Sequence, residues 1–163
     1  MPEVVAAYVG LGSNLGDPRA QVEHGFQALA RLPQTVLGGR SRLYRTPPWG
    51  VVEQPDFVNA AARLETSLAP GELLDALFEI EVGAGRVRAI PNGPRTLDLD
   101  LLLYGDVELR EPDLVIPHPR LHERAFVLLP LADLAPDLDI PGRGRVASLL
   151  AQVDTRGCVL LVD

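Results

Sequence analysis

Residues 96–104, TLDLDLLLY, form an apolar run of strand length with two aspartates set into it one residue apart. Side chains alternate along a strand, so Asp98 and Asp100 project to one face while Leu97, Leu99 and Leu101 enter a core on the other. Two carboxylates side by side repel and need compensation. Two readings follow. A hard divalent cation such as Mg²⁺ could be held there with water and substrate phosphates, or the pair could mark a solvent-facing strand edge.

The elements around this strand order themselves by periodicity and turn chemistry. Residues 4–11 (VVAAYVGL) read as a buried strand ending at a Gly-rich turn. Asp17-Pro18 offers an N-cap acceptor followed by a ring that needs no donor, and Val22, Phe26, Leu29 and Leu32 continue at helical spacing as far as Pro33. Residues 35–45 read as a second strand with a glycine irregularity, interrupted by Pro47 and Pro48. Residues 57–66 read as a third. Pro70 opens a second helix with an apolar face of Leu73, Leu74, Leu77, Phe78 and Ile80, closed by Gly83 and Gly85. With residues 96–104 the order is β-α-β-β-α-β.

That order predicts an α+β, ferredoxin-like fold: a mainly antiparallel four-stranded sheet with both helices on one face. C-terminal helices are expected from about Leu121, bent or stopped at Pro130, and more weakly over 146–153. The chain of 163 residues suits one domain spanning 1–163.

Composition narrows the chemistry. All 15 basic residues are arginine, so neither a Schiff-base lysine nor a lysine-centred phosphate loop is available. A formal charge of −7 disfavours a non-specific nucleic-acid coat. A single-strand nucleic-acid binder with this strand order would want stacking surfaces, yet the chain has only four Phe, three Tyr and one Trp. The lone Cys158 predicts no internal disulfide, and no apolar run is long enough to span a bilayer. A cytoplasmic protein, without nucleic-acid or membrane partners and acting as a monomer, is expected.

Arg86, Arg88 and Arg95 precede the aspartates, and Arg120 and Arg124 follow them with His118 and His122 nearby. Guanidinium forks suit phosphate oxygens, and cations beside paired acids describe a nucleoside triphosphate–magnesium site. Surface salt bridges are the alternative for each arginine taken singly. GLGSNLG at 10–16 has the wrong spacing for a dinucleotide fingerprint and reads as a structural turn. TPPWG at 46–50, with Phe57 and Asn59, could frame a pocket for a flat heterocycle.

Taken in order, YVGLGSNLGD, YRTPPWG, QPDFVNAA, GRVR, GPRTLDLDLLLYG and VIPHPRLHERAFVLLPL resemble the 6-hydroxymethyl-7,8-dihydropterin pyrophosphokinases of folate biosynthesis. The resemblance implies transfer of pyrophosphate from ATP to the pterin hydroxymethyl group, releasing AMP. It implies two Mg²⁺ ions on Asp98 and Asp100, and ATP contacts from Leu74, Glu81, Arg86, Arg88, Arg95, Leu101, His118 and Arg124. Arg86, Arg88 and Arg95 would be catalytic. The pterin would meet Thr46, Pro47, Trp49, Asn59 and Asp98, and stack between Phe57 and Phe126. Loops at about 46–56 and 86–93 are expected to close over the substrates. Asn92 stands before GPR, where some members carry an aromatic residue. A non-catalytic nucleotide- or metal-sensing module is the competing reading.

Overall fold

The computed structural model describes residues 3–48, 53–85 and 96–161. β1 (Val5–Ser13), α1 (Pro18–Ala30), β2 (Thr35–Arg40), β3 (Tyr44–Thr46), β4 (Phe57–Thr66), α2 (Pro70–Gly83) and β5 (Asp98–Tyr104) follow the expected order, with the second strand divided in two. Next come a hairpin of β6 (Leu109–Glu111) and β7 (Leu114–Ile116), a 3-10 turn (Leu121–Glu123) and α3 (Ala125–Leu134). β8 (Asp139–Ile140), β9 (Gly144–Arg145), α4 (Val146–Leu150) and β10 (Val159–Leu160) complete the chain.

The helix starts obey local chemistry. Asp17 Oδ1 accepts the Ala20 N–H at 3.2 Å, with Pro18 in the first turn of α1. On α2 the Glu72 carboxylate takes the Ala69 N–H at 2.8 Å. The buried stripe of α2 is Leu73, Leu77 and Glu81, narrower than the sequence suggested, and Phe78 is 42% exposed. Residues at i, i+4 and i+8 share one face, which leaves Phe78 turned aside.

The main sheet runs β10-β3-β4-β1-β5, with β2 also paired to β4, and every ladder in it is antiparallel. The β5-β1-β4 and β2/β3 arrangement is the ferredoxin-like order, extended by the C-terminal strand. Ser41 splits the second strand without orphaning the backbone of β4: its hydroxyl accepts the Ala61 N–H at 2.8 Å and its own N–H reaches Ala61 O at 2.9 Å.

Two cores flank this sheet. Val9, Leu11, Leu99 and Leu101 pack under α1 and α2 with Phe26, Leu29, Leu73 and Leu77. On the other face Tyr8, Leu102 and Leu103 meet Leu121, Leu128, Leu131 and Val146. The C-terminal helices therefore cover the second face, a layer that the strand order alone did not disclose. The β1–β5 register shifts between Tyr8 and Val9, which turns both Leu102 and Leu103 toward that second core. α3 continues through Pro130 to Leu134 rather than stopping there. An interior proline costs about 3 kcal/mol, and burying Val127, Leu128 and Leu131 offsets it at roughly 1.5–3 kcal/mol per side chain. None of the described helices is long and apolar enough to cross a membrane.

Candidate active site

On the α3 face, the sheet between β3 and β5 is not fully covered, and the strand register decides what lines the opening. Gly12 pairs with Asn59 on β4 and with Asp98 on β5; Gly10 pairs with Ala61 and Asp100. Directly paired residues share a face, so Asn59, Gly12 and Asp98 form one row across three strands. Adjacent strands lie about 4.8 Å apart, which separates Asn59 from Asp98 by roughly 10 Å over a glycine floor. A Cβ at Gly12 would lie 2.6 Å from Asn59 Oδ1. Gly10 and Gly12 thus both lie inside β1 and floor a cavity; the strand runs two residues past the expected end at 11, so the first part of the 10–16 segment is strand rather than turn.

Thr46, Pro47, Phe57, Asn59, Asp98, Asp100, Arg124 and Phe126 all line this cavity, together with Leu102 and Val127. Asn59 Nδ2 donates to Thr46 Oγ1 at 2.7 Å, and both residues are buried, so the amide is fixed before any ligand arrives. Asn14, at the end of β1, donates to Gln54 Oε1 at 2.8 Å and Pro55 O at 3.0 Å, tying that strand end to the segment that enters β4. Arg124 stands at the N-cap position of α3, with its guanidinium carbon 5.5 Å from the centre of the Phe126 ring. Burial and the nearby Arg120 weaken the hold of Arg124 on its proton, while Asp100 and Asp98 strengthen it. It remains a cation at neutral pH.

A second, shallower cleft runs between α2 and β5, lined by Leu74, Asp75, Leu77, Phe78, Glu81, Leu99 and again Asp98 and Asp100. Glu81 is 4% exposed, and its Oε2 accepts the Leu99 N–H at 2.7 Å, pinning the residue between the two aspartates. Leu101 is 4% exposed in the α1/α2 core and lines neither cleft. His118 follows the cis Ile116–Pro117 bond, and its N–H reaches Leu102 O at 2.9 Å. Its Nδ1 accepts the Arg120 N–H at 3.2 Å, which leaves the proton on Nε2. Burial, then Arg124 and Arg120, push its pKa down to about 4 against the opposing pull of Asp98, so it is neutral at pH 7. Trp49, Arg86, Arg88, Asn92 and Arg95 lie outside the described residues, as do the centre of the 46–56 loop and all of 86–93.

The donor set can be tested against a metal. Among the described residues no group of three or more His, Cys, Asp or Glu converges. Two carboxylates on one face are what Mg²⁺ takes when it keeps water and shares phosphate oxygens; a structural zinc site needs four protein ligands. The pair fits Mg²⁺.

A model of the 7,8-dihydro-6-hydroxymethylpterin-pyrophosphokinase (HPPK) family matches residues 8–136. The chain belongs to this family. An HPPK relative from Pseudomonas aeruginosa, a 2-amino-4-hydroxy-6-hydroxymethyldihydropteridine pyrophosphokinase, is 52% identical over 150 residues, covering 92% of this chain and 93% of that protein. The namesake from Haemophilus influenzae is 44% identical over 149 residues, covering 91% and 93%. Among solved structures, an HPPK-DHPS triple mutant from Plasmodium falciparum superposes with a TM-score of 0.72 at 14% identity, over 92% of this chain and 43% of that one. At that identity the likeness speaks for the HPPK fold, and the chain spans less than half of that longer protein.

Proposed function

We propose that this chain performs the family's reaction: it transfers the terminal pyrophosphoryl group of ATP to the hydroxymethyl oxygen of 6-hydroxymethyl-7,8-dihydropterin and releases AMP, a step in folate biosynthesis. The observation that carries this reading is that Asp98 and Asp100 line both clefts. Anything held by the pair touches the contents of each. A heterocycle in the β3–β5 cavity and a triphosphate beside α2 would meet at these two carboxylates.

The pterin ring would lie on the Gly10–Gly12 floor between Phe57 and Phe126, reading Asn59 and the backbone at Thr46, Pro47 and Trp49. Flat faces favour offset stacking, and the Thr46–Asn59 bond holds the amide ready without an entropic cost on binding. ATP would occupy the α2 cleft with its base near Leu74, near the β5 strand that carries Leu101 and that Glu81 pins. Arg124, together with Arg86, Arg88 and Arg95, would take phosphate oxygens through guanidinium forks. His118, neutral and protonated on Nε2, would donate one hydrogen bond there.

Asp98 and Asp100 would supply the protein ligands of two Mg²⁺ ions, which when bound neutralise phosphate charge and hold the chain in line. The remaining work is positioning. The hydroxyl is aligned with the β-phosphorus, water is displaced by the apolar walls, and no side chain needs to act as a strong base. Closure of loops 46–56 and 86–93 would complete the enclosure. The partners are small molecules alone, and we read the protein as a cytoplasmic monomer.

The experiment is an Asp98→Ala, Asp100→Ala double variant assayed with ATP, Mg²⁺ and hydroxymethyldihydropterin. Turnover is expected to fall at least a hundredfold, on the order of what is lost with a transition-state electrostatic contact, with circular dichroism unchanged. A folded double variant turning over at the parental rate would overturn the reading.

A further inference from the structure

The C-terminal segment lies beyond the residues matched by the family model, yet it closes the sheet beside the pocket. β10 pairs Val159 with Arg45 and Leu160 with Tyr44, and the Leu161 N–H extends the ladder to Leu43 O at 2.9 Å. β3 is only three residues long and ends on Thr46, which with the following Pro47 lines the cavity. A strand this short has little standing by itself and depends on its neighbours for register. β4 flanks β3 on one side and β10 on the other.

The turn leading into β10 is itself built. Arg156 donates through Nε at 3.0 Å and Nη2 at 2.8 Å to the Asp154 carboxylate, which also accepts the Arg156 N–H at 2.9 Å. The Cys158 N–H closes on Thr155 O at 3.1 Å. Between them Gly157 has φ +87°, a conformation glycine adopts without penalty. It faces the Pro47 ring: a Cβ there would sit 3.4 Å from Pro47 Cγ and 3.5 Å from Cδ, in van der Waals contact.

We propose that residues 154–161 are a strut for the pterin-binding wall: β10 fixes the register of β3, and the Gly157 turn backs the Pro47 ring from behind. The segment is a positioning element and touches no reacting atom. This inference rests on the assignment of the β3–β5 cavity to the pterin.

The test compares a chain ending at Val153, the full-length Gly157→Val variant and an Asn59→Ala control. Each is assayed for the KM of hydroxymethyldihydropterin and of ATP. The truncated and Gly157→Val proteins should raise the pterin KM by roughly tenfold, a usual size for coupling between sites, with the ATP KM and kcat nearly unchanged. A folded truncated protein with parental pterin KM overturns the strut.

The unaltered protein gives a reading that no folding defect can blur. Coupling is reciprocal, so hydroxymethyldihydropterin should slow iodoacetamide alkylation of Cys158, the sole and half-buried thiol, whereas ATP alone should not. Equal alkylation with and without the pterin also overturns the strut. Should Asn59→Ala keep parental pterin affinity, the cavity assignment itself fails. A loss there with an indifferent tail sinks only the strut.

Discussion

Gly12 separates Asn59 from Asp98 in the row that floors the cavity, and its missing side chain is what makes the row a pocket. A methyl group there meets Asn59 Oδ1 at 2.6 Å, so Gly12→Ala must turn the amide away from Thr46. Overpacking of this kind costs about 1–3 kcal/mol, and about 1.4 kcal/mol is a tenfold change in affinity. Isothermal titration should therefore find pterin affinity reduced roughly tenfold with ATP affinity preserved; equal loss of both would place the damage elsewhere. His118 offers a pH prediction for the protein without nucleotide or magnesium. The unfolded chain takes up its proton near 6.5 and the folded protein only near 4. Between these values the unfolded state holds the extra proton, so acid favours unfolding. The stability due to a neutral His118 is full above about 6.5 and declines as pH falls toward 4. An NMR titration should place the His118 midpoint near 4, and a midpoint at the ordinary value would contradict the burial that lowers it.

Among elements, the tie between β3 and α3 joins the two sides of the cavity, because β3 ends on Thr46 while α3 begins beside Arg124 and Phe126. Asp133 makes the tie, accepting from the Tyr44 hydroxyl at 2.9 Å and from Arg42 Nη2 at 2.7 Å. Burial raises the Asp133 pKa, but the hydrogen bonds from Arg42 and Tyr44 outweigh it, and the net shift is downward. Its stabilisation is thus present above the usual carboxylate range and lost as pH falls through the lowered folded value. Arg42 is largely exposed and water screens its pairing, whereas Tyr44 is buried. The Tyr44 bond should dominate: Tyr44→Phe should cost about 1.5 kcal/mol in urea unfolding, and Arg42→Ala should move the midpoint less. The reverse ranking would mean that the exposed ion pair holds α3.

How far this was legible follows from what each residue needs to be recognised. The alternation of acids and leucines in residues 96–104 places Asp98 and Asp100 together by itself, and the cap at Asp17-Pro18 marks α1 from a few residues. Lateral register is different. Nothing local tells Gly12 that Asn59 and Asp98 will flank it, though two glycines at alternate positions of an apolar strand were a usable signal. β10 has two residues and exists as a strand only because β3 is there to receive it, so no periodicity announces it.

At the scale of the whole molecule, α1 and α2 pack on one face of the sheet and α3 and α4 on the other, leaving the stretch at the acids open. The second layer was written in Tyr8, Leu102 and Leu103, apolar residues on the same face as Asp98 and Asp100, but the register shift in β5 hid them from a strict alternation. Among the described residues the second face is open at the acids, and both carboxylates stand at the junction of two clefts. That arrangement suits a reaction in which one substrate's hydroxyl meets another's phosphate chain. The identity of the nucleotide released tests this most directly. ³¹P NMR of a reaction containing the protein, ATP, Mg²⁺ and hydroxymethyldihydropterin should show AMP and pterin pyrophosphate appearing in equal amounts; ADP with a pterin monophosphate, or no turnover, would contradict it.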